Sequence, residues 1–239
     1  MKNENYTNIE KNLANVRTNM LEYTNKIGLF SKDITLVAVS KLFGIEKVIE
    51  AMKFGQVDFG ESRAQELLEK KELVTADVNW HFIGHLQTNK VKYMLDNIAL
   101  LHSLDRLKLA KEINRQCELS DKTLDALLQV NISKESTKSG IFEEDIFEFI
   151  EEISRLPYVK VKGLMTIAPF TDNEMDVRKT FTGLRKLFDK LVNQDLPNNI
   201  EMKYISMGMS NDYKIAIQEG SNMIRVGSGI FGNRMYKKT

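Results

Sequence analysis

Cysteine is almost absent from this chain: among its 239 residues there is one cysteine, Cys117. A single thiol excludes an intrachain disulfide framework and fits a reducing compartment. Cys117 lies in KEINRQCELS, a stretch of helical character, where a small buried side chain is a better interpretation than a nucleophile. Proline is also scarce, with three residues, and no linker rich in Pro, Gly or Ser divides the chain. The sequence therefore predicts one domain spanning residues 1–239.

An excess of charge is missing as well. The 34 basic side chains nearly balance the 33 acidic ones, giving a formal net charge of +1, so no overall field favours nucleic acid or a membrane surface. No window approaches the roughly 18 apolar residues that a membrane span needs. The N-terminal MKNENYTNIEKN is polar, which argues against a signal peptide. We therefore expect a cytoplasmic protein without nucleic-acid or membrane partners.

What the chain does contain is an alternation of two kinds of segment. Eight short apolar or β-branched runs are separated by stretches of helical spacing, which predicts a parallel sheet with both faces covered. Eight such units match an α/β protein of the (β/α)8 TIM-barrel type better than an open doubly wound sheet. The predicted strands are ITLVAVS (34–40), QVDFG (56–60), WHFIG (80–84), IALLHS (98–103), LDALLQVN (124–131), VKVKGLMT (159–166), MKYISMG (202–208) and NMIRVG (222–227).

An extra N-terminal helix precedes the predicted barrel. Its apolar residues recur at steps of three and four and form one stripe, made of Ile9, Leu13, Val16, Met20, Tyr23 and Ile27. We expect residues 1–30 to pack on the barrel through this stripe. Because no large apolar face then remains, we also expect a monomer.

Two loops near the end of the chain are rich in Gly and Ser. They are SMGMSND (206–212) and RVGSGIFG (225–232), and they follow strands seven and eight. Such barrels carry their active sites at this end of the strands, and these two loops often bind phosphate through backbone N–H groups. Glycine lets a backbone approach an anion closely. The alternative for each loop alone is a turn, with Ser210 capping the next helix, but together the loops favour a phosphate site.

Lys41, at the end of LVAVSK, lies across the same mouth of the predicted barrel. Partial burial and a nearby cation such as Arg225 both favour the neutral form of an amine. A neutral amine attacks an aldehyde to form a Schiff base. A phosphate site with a nucleophilic lysine fits pyridoxal 5′-phosphate (PLP). It fits equally a class I aldolase acting on a sugar phosphate, so these residues alone leave both functions open.

Seven segments, taken together, narrow this choice. They are VAVSK, DFGESRAQE, WHFIGHLQTNK, LLQVNISKESTKSG, GLMTI, SMGMSND and IRVGSGIFGNR. In this order, from about residue 30 to 234, they resemble the pyridoxal-phosphate homeostasis proteins of the YggS/PROSC type. The resemblance implies a fold-type III PLP protein, a single barrel similar to the N-terminal domain of alanine racemase. It also implies PLP as the cofactor.

The same resemblance implies a role for individual residues. Lys41 corresponds to the Schiff-base lysine, and Arg225 to the residue that faces the pyridine nitrogen. The implied phosphate site consists of Ser210, Gly227 and Ser228, where many relatives have Thr in place of Ser228. Further candidates for contact with the cofactor are Ser62, His85, Met165 and Met209.

One motif departs from the family pattern. The chain has FGESR where the family usually has FGENR, so Ser62 replaces an asparagine that lies near the cofactor in relatives. Serine is shorter and lacks the amide donor. The segment SRAQ also fits a capping box, with Gln65 as the third helical residue. We therefore expect Ser62 to cap the following helix rather than to contact the cofactor.

The three histidines do not predict a metal site. His81 and His85 have the HxxxH spacing that binds zinc on a helix, but here they span a strand and its loop. Four residues of strand cover roughly 13 Å, which is too long for a shared metal. His85 is expected at the mouth, either lining the pocket or making a structural hydrogen bond. His102 is expected to be packed at a strand end.

The choice between an enzyme and a binding protein depends on a second catalytic group. A PLP enzyme acting on amino acids needs an acid or base beside the substrate α-carbon. In racemases and decarboxylases of this fold type a separate β-domain completes the site, and we find no source for such a group before Thr239. We therefore predict a non-catalytic protein that binds, buffers or delivers PLP, with PLP-dependent apo-enzymes as recipients. A weak amino-acid racemase or transaminase is the first alternative, and the aldolase is the second.

Overall fold

The computed structural model of the protein describes residues 8–26, 33–135 and 138–233. Eight parallel strands close into a barrel in sequence order. The barrel closes where β1 pairs with β8, with Val37 opposite Arg225. The strands are β1 (Thr35–Val39), β2 (Asp58–Glu61), β3 (Asn79–Phe82), β4 (Leu100–Leu104), β5 (Leu124–Gln129), β6 (Val159–Met165), β7 (Ile200–Ser206) and β8 (Met223–Val226). All eight predicted strands are present, which confirms the (β/α)8 barrel.

Helices cover the outside of the barrel between successive strands. Two short 3₁₀ turns, Thr88–Lys90 and Glu143–Asp145, lead into α4 and α6. The helices are α1 (Ile9–Lys26), α2 (Ile45–Lys53), α3 (Ala64–Leu73), α4 (Val91–Met94), α5 (Leu107–Ser120), α6 (Ile146–Ser154), α7 (Glu174–Val192), α8 (Tyr213–Gln218) and α9 (Ser228–Phe231). Among the helices of the described residues, none combines the length and the apolar character that crossing a membrane requires.

The first helix packs on the last two. Helix α1 buries the predicted stripe from Ile9 to Met20, while Ile27 lies outside the described residues. The Asn12 side-chain amide donates a hydrogen bond to the Ile230 carbonyl at 2.9 Å, and that of Asn19 donates to the Tyr213 hydroxyl at 3.0 Å. Because α8 and α9 are short, α1 covers the apolar surface that a longer helix would otherwise cover.

The barrel interior has an apolar layer, and a set of polar side chains is buried within the same barrel. The apolar layer consists of Val37, Leu100, Leu127, Met165 and Met223. Buried polar side chains there include His81, His102, Ser206 and Arg225. Outside the barrel wall, Cys117 is buried in α5, and burial raises the pKa of its thiol to about 11. This confirms Cys117 as a packing residue, since so little thiolate forms at neutral pH.

Candidate functional site

A pocket of about 700 Å³ opens at the C-terminal mouth of the barrel. Its walls come from the residues that follow β1, from β8, and from the loops after β6, β7 and β8. Six of the residues predicted from the sequence line this one pocket: Lys41, Met209, Ser210, Arg225, Gly227 and Ser228. Side chains that are up to 187 positions apart in the chain therefore meet in a single cavity, at the end of the barrel where such sites form.

The loops after β7 and β8 are joined by Ser210. Its hydroxyl oxygen accepts hydrogen bonds from the backbone N–H groups of Gly227, at 3.2 Å, and Gly229, at 3.1 Å. A Cβ at position 229 would lie 2.9 Å from the Val226 side chain, so a larger residue there would push the loop away. Ser210 does not cap α8, because Asp212 holds the cap position. The two loops thus form one wall of the pocket, which carries the Ser210 and Ser228 hydroxyls.

The turn after β7 requires glycine at one position. Gly208 has a φ of 94°, and a Cβ there would lie 2.5 Å from that of Ala216. The Asp212 carboxylate accepts a hydrogen bond from the Met209 N–H at 2.5 Å and fixes the same turn. Burial raises the pKa of Asp212, while this backbone hydrogen bond and the Arg225 cation oppose the rise. Asp212 lines the pocket and was not among the predicted site residues.

Arg225 forms the floor of the pocket and is 4% exposed. Its Nη1 donates a hydrogen bond to the Ser206 hydroxyl at 2.6 Å, and its Nη2 donates to the Thr166 carbonyl at 2.9 Å. Burial lowers the pKa of Arg225 to about 10, and the Asp212 carboxylate opposes this shift. The guanidinium therefore stays charged at neutral pH and is held in one orientation.

Lys41 is half-buried at the pocket, and the residues on both sides of it are anchored. The Ser40 carbonyl accepts a hydrogen bond from Lys70 Nζ at 2.8 Å. The Leu42 N–H donates to Glu66 at 2.6 Å, and Leu42 has a left-handed backbone with a φ of 68°. Such a conformation is strained for a leucine, so it persists only where the surroundings fix it. Side chains of α3 thus set the path of the backbone at Lys41.

A buried ionic cluster supplies these anchors. Lys70 Nζ lies 2.7 Å from both Glu61 and Glu66, and the Ser40 hydroxyl donates to Glu61 at 2.6 Å. Glu61 is fully buried, and its second carboxylate oxygen has no hydrogen-bond partner among the described residues. Burial raises the pKa of Glu61, while Lys70 opposes the rise. Sequence reasoning missed this cluster, although the Glu66–Lys70 spacing of four on a helix was a usable signal.

Met165 and Ser62, two further candidates from the sequence, do not line the main pocket. Met165 packs in the apolar layer of the barrel interior. Ser62 is half-buried and does not line the pocket. Its predicted capping box is wrong: α3 begins at Ala64, and Arg63, in an extended conformation, takes the cap position without a side-chain hydrogen bond. The helix therefore starts one residue later than the box requires.

His85 is exposed and lies beside the main pocket rather than in it. Its Nδ1 is 3.5 Å from an Asp105 carboxylate oxygen. It lines a smaller cavity of about 230 Å³, which shares Ile83, Lys138 and Ile167 with the main pocket. Within the described ranges, no group of three or more His, Cys, Asp or Glu side chains is arranged to hold a metal ion.

Comparison with known proteins defines first the class and then the family. The family model of the alanine racemase N-terminal domain matches residues 6–235. Alanine racemase from Clostridium difficile 630 superposes with a TM-score of 0.73 at 18% identity, covering 97% of this chain and 57% of the racemase. At that identity the likeness shows the fold alone. The class is therefore that of barrels built like the N-terminal domain of alanine racemase.

Closer relatives identify the family. The pyridoxal phosphate homeostasis protein of Aquifex aeolicus is 44% identical over 202 residues, which are 84% of this chain and 87% of the relative. The pyridoxal phosphate homeostasis protein of Pasteurella multocida is 37% identical, and the match covers 96% of this chain and 99% of the relative. PipY from Synechococcus elongatus, in its PLP-bound structure, is 30% identical and superposes with a TM-score of 0.82. The match covers 94% of this chain and 100% of PipY. The chain belongs to the family of pyridoxal phosphate homeostasis proteins, which confirms the resemblance.

Proposed function

We propose that the protein binds PLP in the mouth pocket, holds it through Lys41, and serves PLP homeostasis by buffering the cofactor and passing it to PLP-dependent apo-enzymes. The observation that carries this function is the pocket itself, in which a lysine, a buried arginine and two Gly/Ser loops converge. The names of the curated relatives and the PLP-bound PipY structure support it. We further propose that it acts as a monomer in the cytoplasm.

The residues present fit PLP by their chemistry. The cofactor supplies an aldehyde that condenses reversibly with a primary amine. Lys41 offers that amine from the β1 side of the pocket. The Ser210 and Ser228 hydroxyls, on the loops after β7 and β8, offer hydrogen-bond donors to the phosphate in the same pocket. Arg225 lines the same pocket and adds a positive charge that favours an anion.

Arg225 also bears on whether the pocket only binds PLP or also catalyses reactions of amino acids with it. A guanidinium can only donate hydrogen bonds, and its charge disfavours protonation of a ring nitrogen placed against it. A protonated ring nitrogen is the stronger electron sink for chemistry at an amino-acid α-carbon. Because Arg225 remains charged and is oriented by Ser206 and Thr166, protonation of such a ring nitrogen is disfavoured, which weakens this electron sink without abolishing it.

Reductive trapping tests this function. The protein mixed with PLP should show a visible absorbance band, and borohydride should fix the label on the peptide that contains Lys41. The matched control is Lys138→Ala, which removes the other lysine that lines the pocket and should leave the label in place. A label found at Lys138 would overturn the assignment. Racemisation or transamination of amino acids at several turnovers per minute would favour an enzyme, and trapping of a sugar phosphate instead of PLP an aldolase.

A change at Ser210 tests the phosphate site separately. Ser210→Ala removes the hydroxyl that links the two loops, and we expect the affinity for PLP to fall about tenfold, since hydrogen bonds to charged groups contribute about 1.5–3 kcal/mol. Pyridoxal, which lacks the phosphate, should bind wild type and variant equally well. Both affinities can be measured by absorbance titration. An equal loss for both ligands would place Ser210 outside the phosphate site.

A further inference from the structure

A line of polar side chains crosses the barrel interior, starting at Arg225 and leading away from the pocket. The Arg225 Nη1 lies 2.6 Å from the Ser206 hydroxyl, which lies 3.0 Å from Nδ1 of His102. His102 Nε2 is 2.9 Å from Nδ1 of His81, and His81 Nε2 is 3.0 Å from the Asp58 carboxylate. Asp58 lines a separate cavity of about 350 Å³ formed with Thr35 and Asn79, at the N-terminal ends of the strands. The line therefore joins the two ends of the barrel.

The direction of every hydrogen bond in this line follows from its two ends. The Asp58 carboxylate only accepts, so His81 donates to it from Nε2, and a neutral His81 then accepts at Nδ1. His102 therefore donates to His81 from Nε2 and accepts from the Ser206 hydroxyl at Nδ1. Arginine has donors only, so the Ser206 oxygen accepts from Arg225. One assignment of tautomers satisfies all five groups.

Electrostatics agrees with this assignment. His102 is completely buried, and burial, followed by the proximity of His81 and of Arg225, lowers its pKa well below the ordinary value. A neutral His102 is the form that the line requires. The aligned donors point from the Arg225 cation toward the Asp58 anion, and aligned hydrogen bonds in a low-dielectric interior polarise one another. Both terminal charges are therefore stabilised across the barrel.

We propose that Ser206, His102 and His81 are positioning residues that orient the Arg225 guanidinium toward the cofactor pocket, with Asp58 as the counter-charge at the far end. None of these residues except Arg225 lines the cofactor pocket, so their effect on it passes through Arg225. The proposal deepens the proposed function and rests on it for the cofactor measurement below. The tautomer measurement stands without any cofactor.

The tautomers can be read in the cofactor-free protein. Nitrogen-15 spectra of the imidazole rings distinguish protonated from unprotonated nitrogens, and the chain has three histidines to resolve. We expect both His81 and His102 to carry a proton on Nε2 and to accept a hydrogen bond at Nδ1, while exposed His85 serves as the reference. Ser206→Ala should shift the Nδ1 resonance of His102, because it removes that atom's donor. A His102 protonated on Nδ1, or one unaffected by Ser206→Ala, would disprove the line.

Affinity for PLP tests the positioning role. His102→Leu cuts the line and should weaken PLP binding about tenfold, whereas His102→Gln should retain affinity within about threefold, because an amide presents an acceptor and a donor on one carbon as the imidazole does. Ser103→Ala is the control, since it removes a buried hydrogen bond from the same strand but none from the line. If His102→Leu does not fold, Ser206→Ala interrupts the same hydrogen-bonded line and should likewise weaken PLP binding about tenfold.

The two measurements separate the two claims. Equal affinities of His102→Leu, His102→Gln and wild type would overturn the positioning role even if the tautomers are as expected. A wild-type protein that shows the expected tautomers but does not bind PLP would overturn the proposed function and leave the hydrogen-bonded line intact.

Discussion

Lys41→Ala is expected to abolish covalent retention of PLP. The visible absorbance band should disappear, borohydride should fix no label, and the affinity for PLP should fall about hundredfold, equivalent to about 2.7 kcal/mol. The reason is that the variant removes the amine that we propose as the Schiff-base former, which lines the pocket together with the loops after β7 and β8. Lys138 lines the same pocket from the loop after β5 and remains in the variant. Absorbance titration and mass spectrometry of the reduced protein give both results.

A ligand without the aldehyde provides the control for this variant. Pyridoxine 5′-phosphate keeps the ring and phosphate but cannot condense with an amine. It should bind wild type and Lys41→Ala with affinities within about threefold of each other, because Ser210 and Arg225 are untouched. A reduced label that persists in Lys41→Ala would show that another amine holds the cofactor. A large loss for pyridoxine 5′-phosphate would show instead that the variant damages the pocket.

Lys70→Met is expected to lower the free energy of unfolding by about 3–5 kcal/mol, the usual loss when one partner of a buried ion pair is removed. Lys70 is 5% exposed and forms ion pairs with both Glu61 and Glu66, at 2.7 Å each. Methionine keeps most of the apolar stem and removes the charge. Urea denaturation measures the loss. Lys71→Met, on the next residue of α3, is the matched control and should cost less than about 1 kcal/mol.

The pH dependence of this loss has a definite sign. Burial already raises the pKa of Glu61, and Lys70 opposes the rise, so the variant should raise that pKa further. A carboxyl whose pKa is higher in the folded state binds more protons there, and stability then falls as pH rises. We therefore expect the deficit of Lys70→Met to grow from pH 5 to pH 8. Glu61→Gln in the Lys70→Met background should recover part of it, and a pH-independent deficit would contradict the assignment to Glu61.

The same cluster connects stability to cofactor binding. Lys70 and Glu66 hold the Ser40 carbonyl and the Leu42 N–H on either side of Lys41. Their loss leaves the strained turn at Leu42 without its anchors.

The sequence was sufficient for the fold because the strand pattern is local. Each buried strand is a short apolar run between helical stretches, so all eight could be located without knowledge of their partners. The pocket residues Lys41, Ser210 and Arg225 were found for a related reason: they lie at strand ends, and the barrel geometry brings strand ends together. The family resemblance then assigned their roles.

Other features depend on contacts that no local pattern records. His102 and Ser206 are 104 residues apart, and only the closed barrel brings them within hydrogen-bonding distance. Met165 was a candidate at a strand end, but its side chain packs in the apolar layer of the barrel interior, beside residues from four other strands. At Ser62, a one-residue shift of the helix start replaced the expected cap with Arg63.

The position of α1 has a consequence for how the chain matures on the ribosome. Helix α1 is synthesised first, yet its partners α8 and α9 are synthesised last, more than 180 residues later. Helix α2 already contacts α1, through Arg17 and the Phe54 carbonyl, but the surface provided by α8 and α9 is missing until translation is almost complete. Apolar stripes that stay exposed promote aggregation of nascent chains. Docking of α1 on α8 and α9 is expected late in folding, because the Asn12–Ile230 hydrogen bond joins residues 218 positions apart. Burial of the first helix and packing of α8 and α9, which follow β7 and β8, are thus expected to be one event.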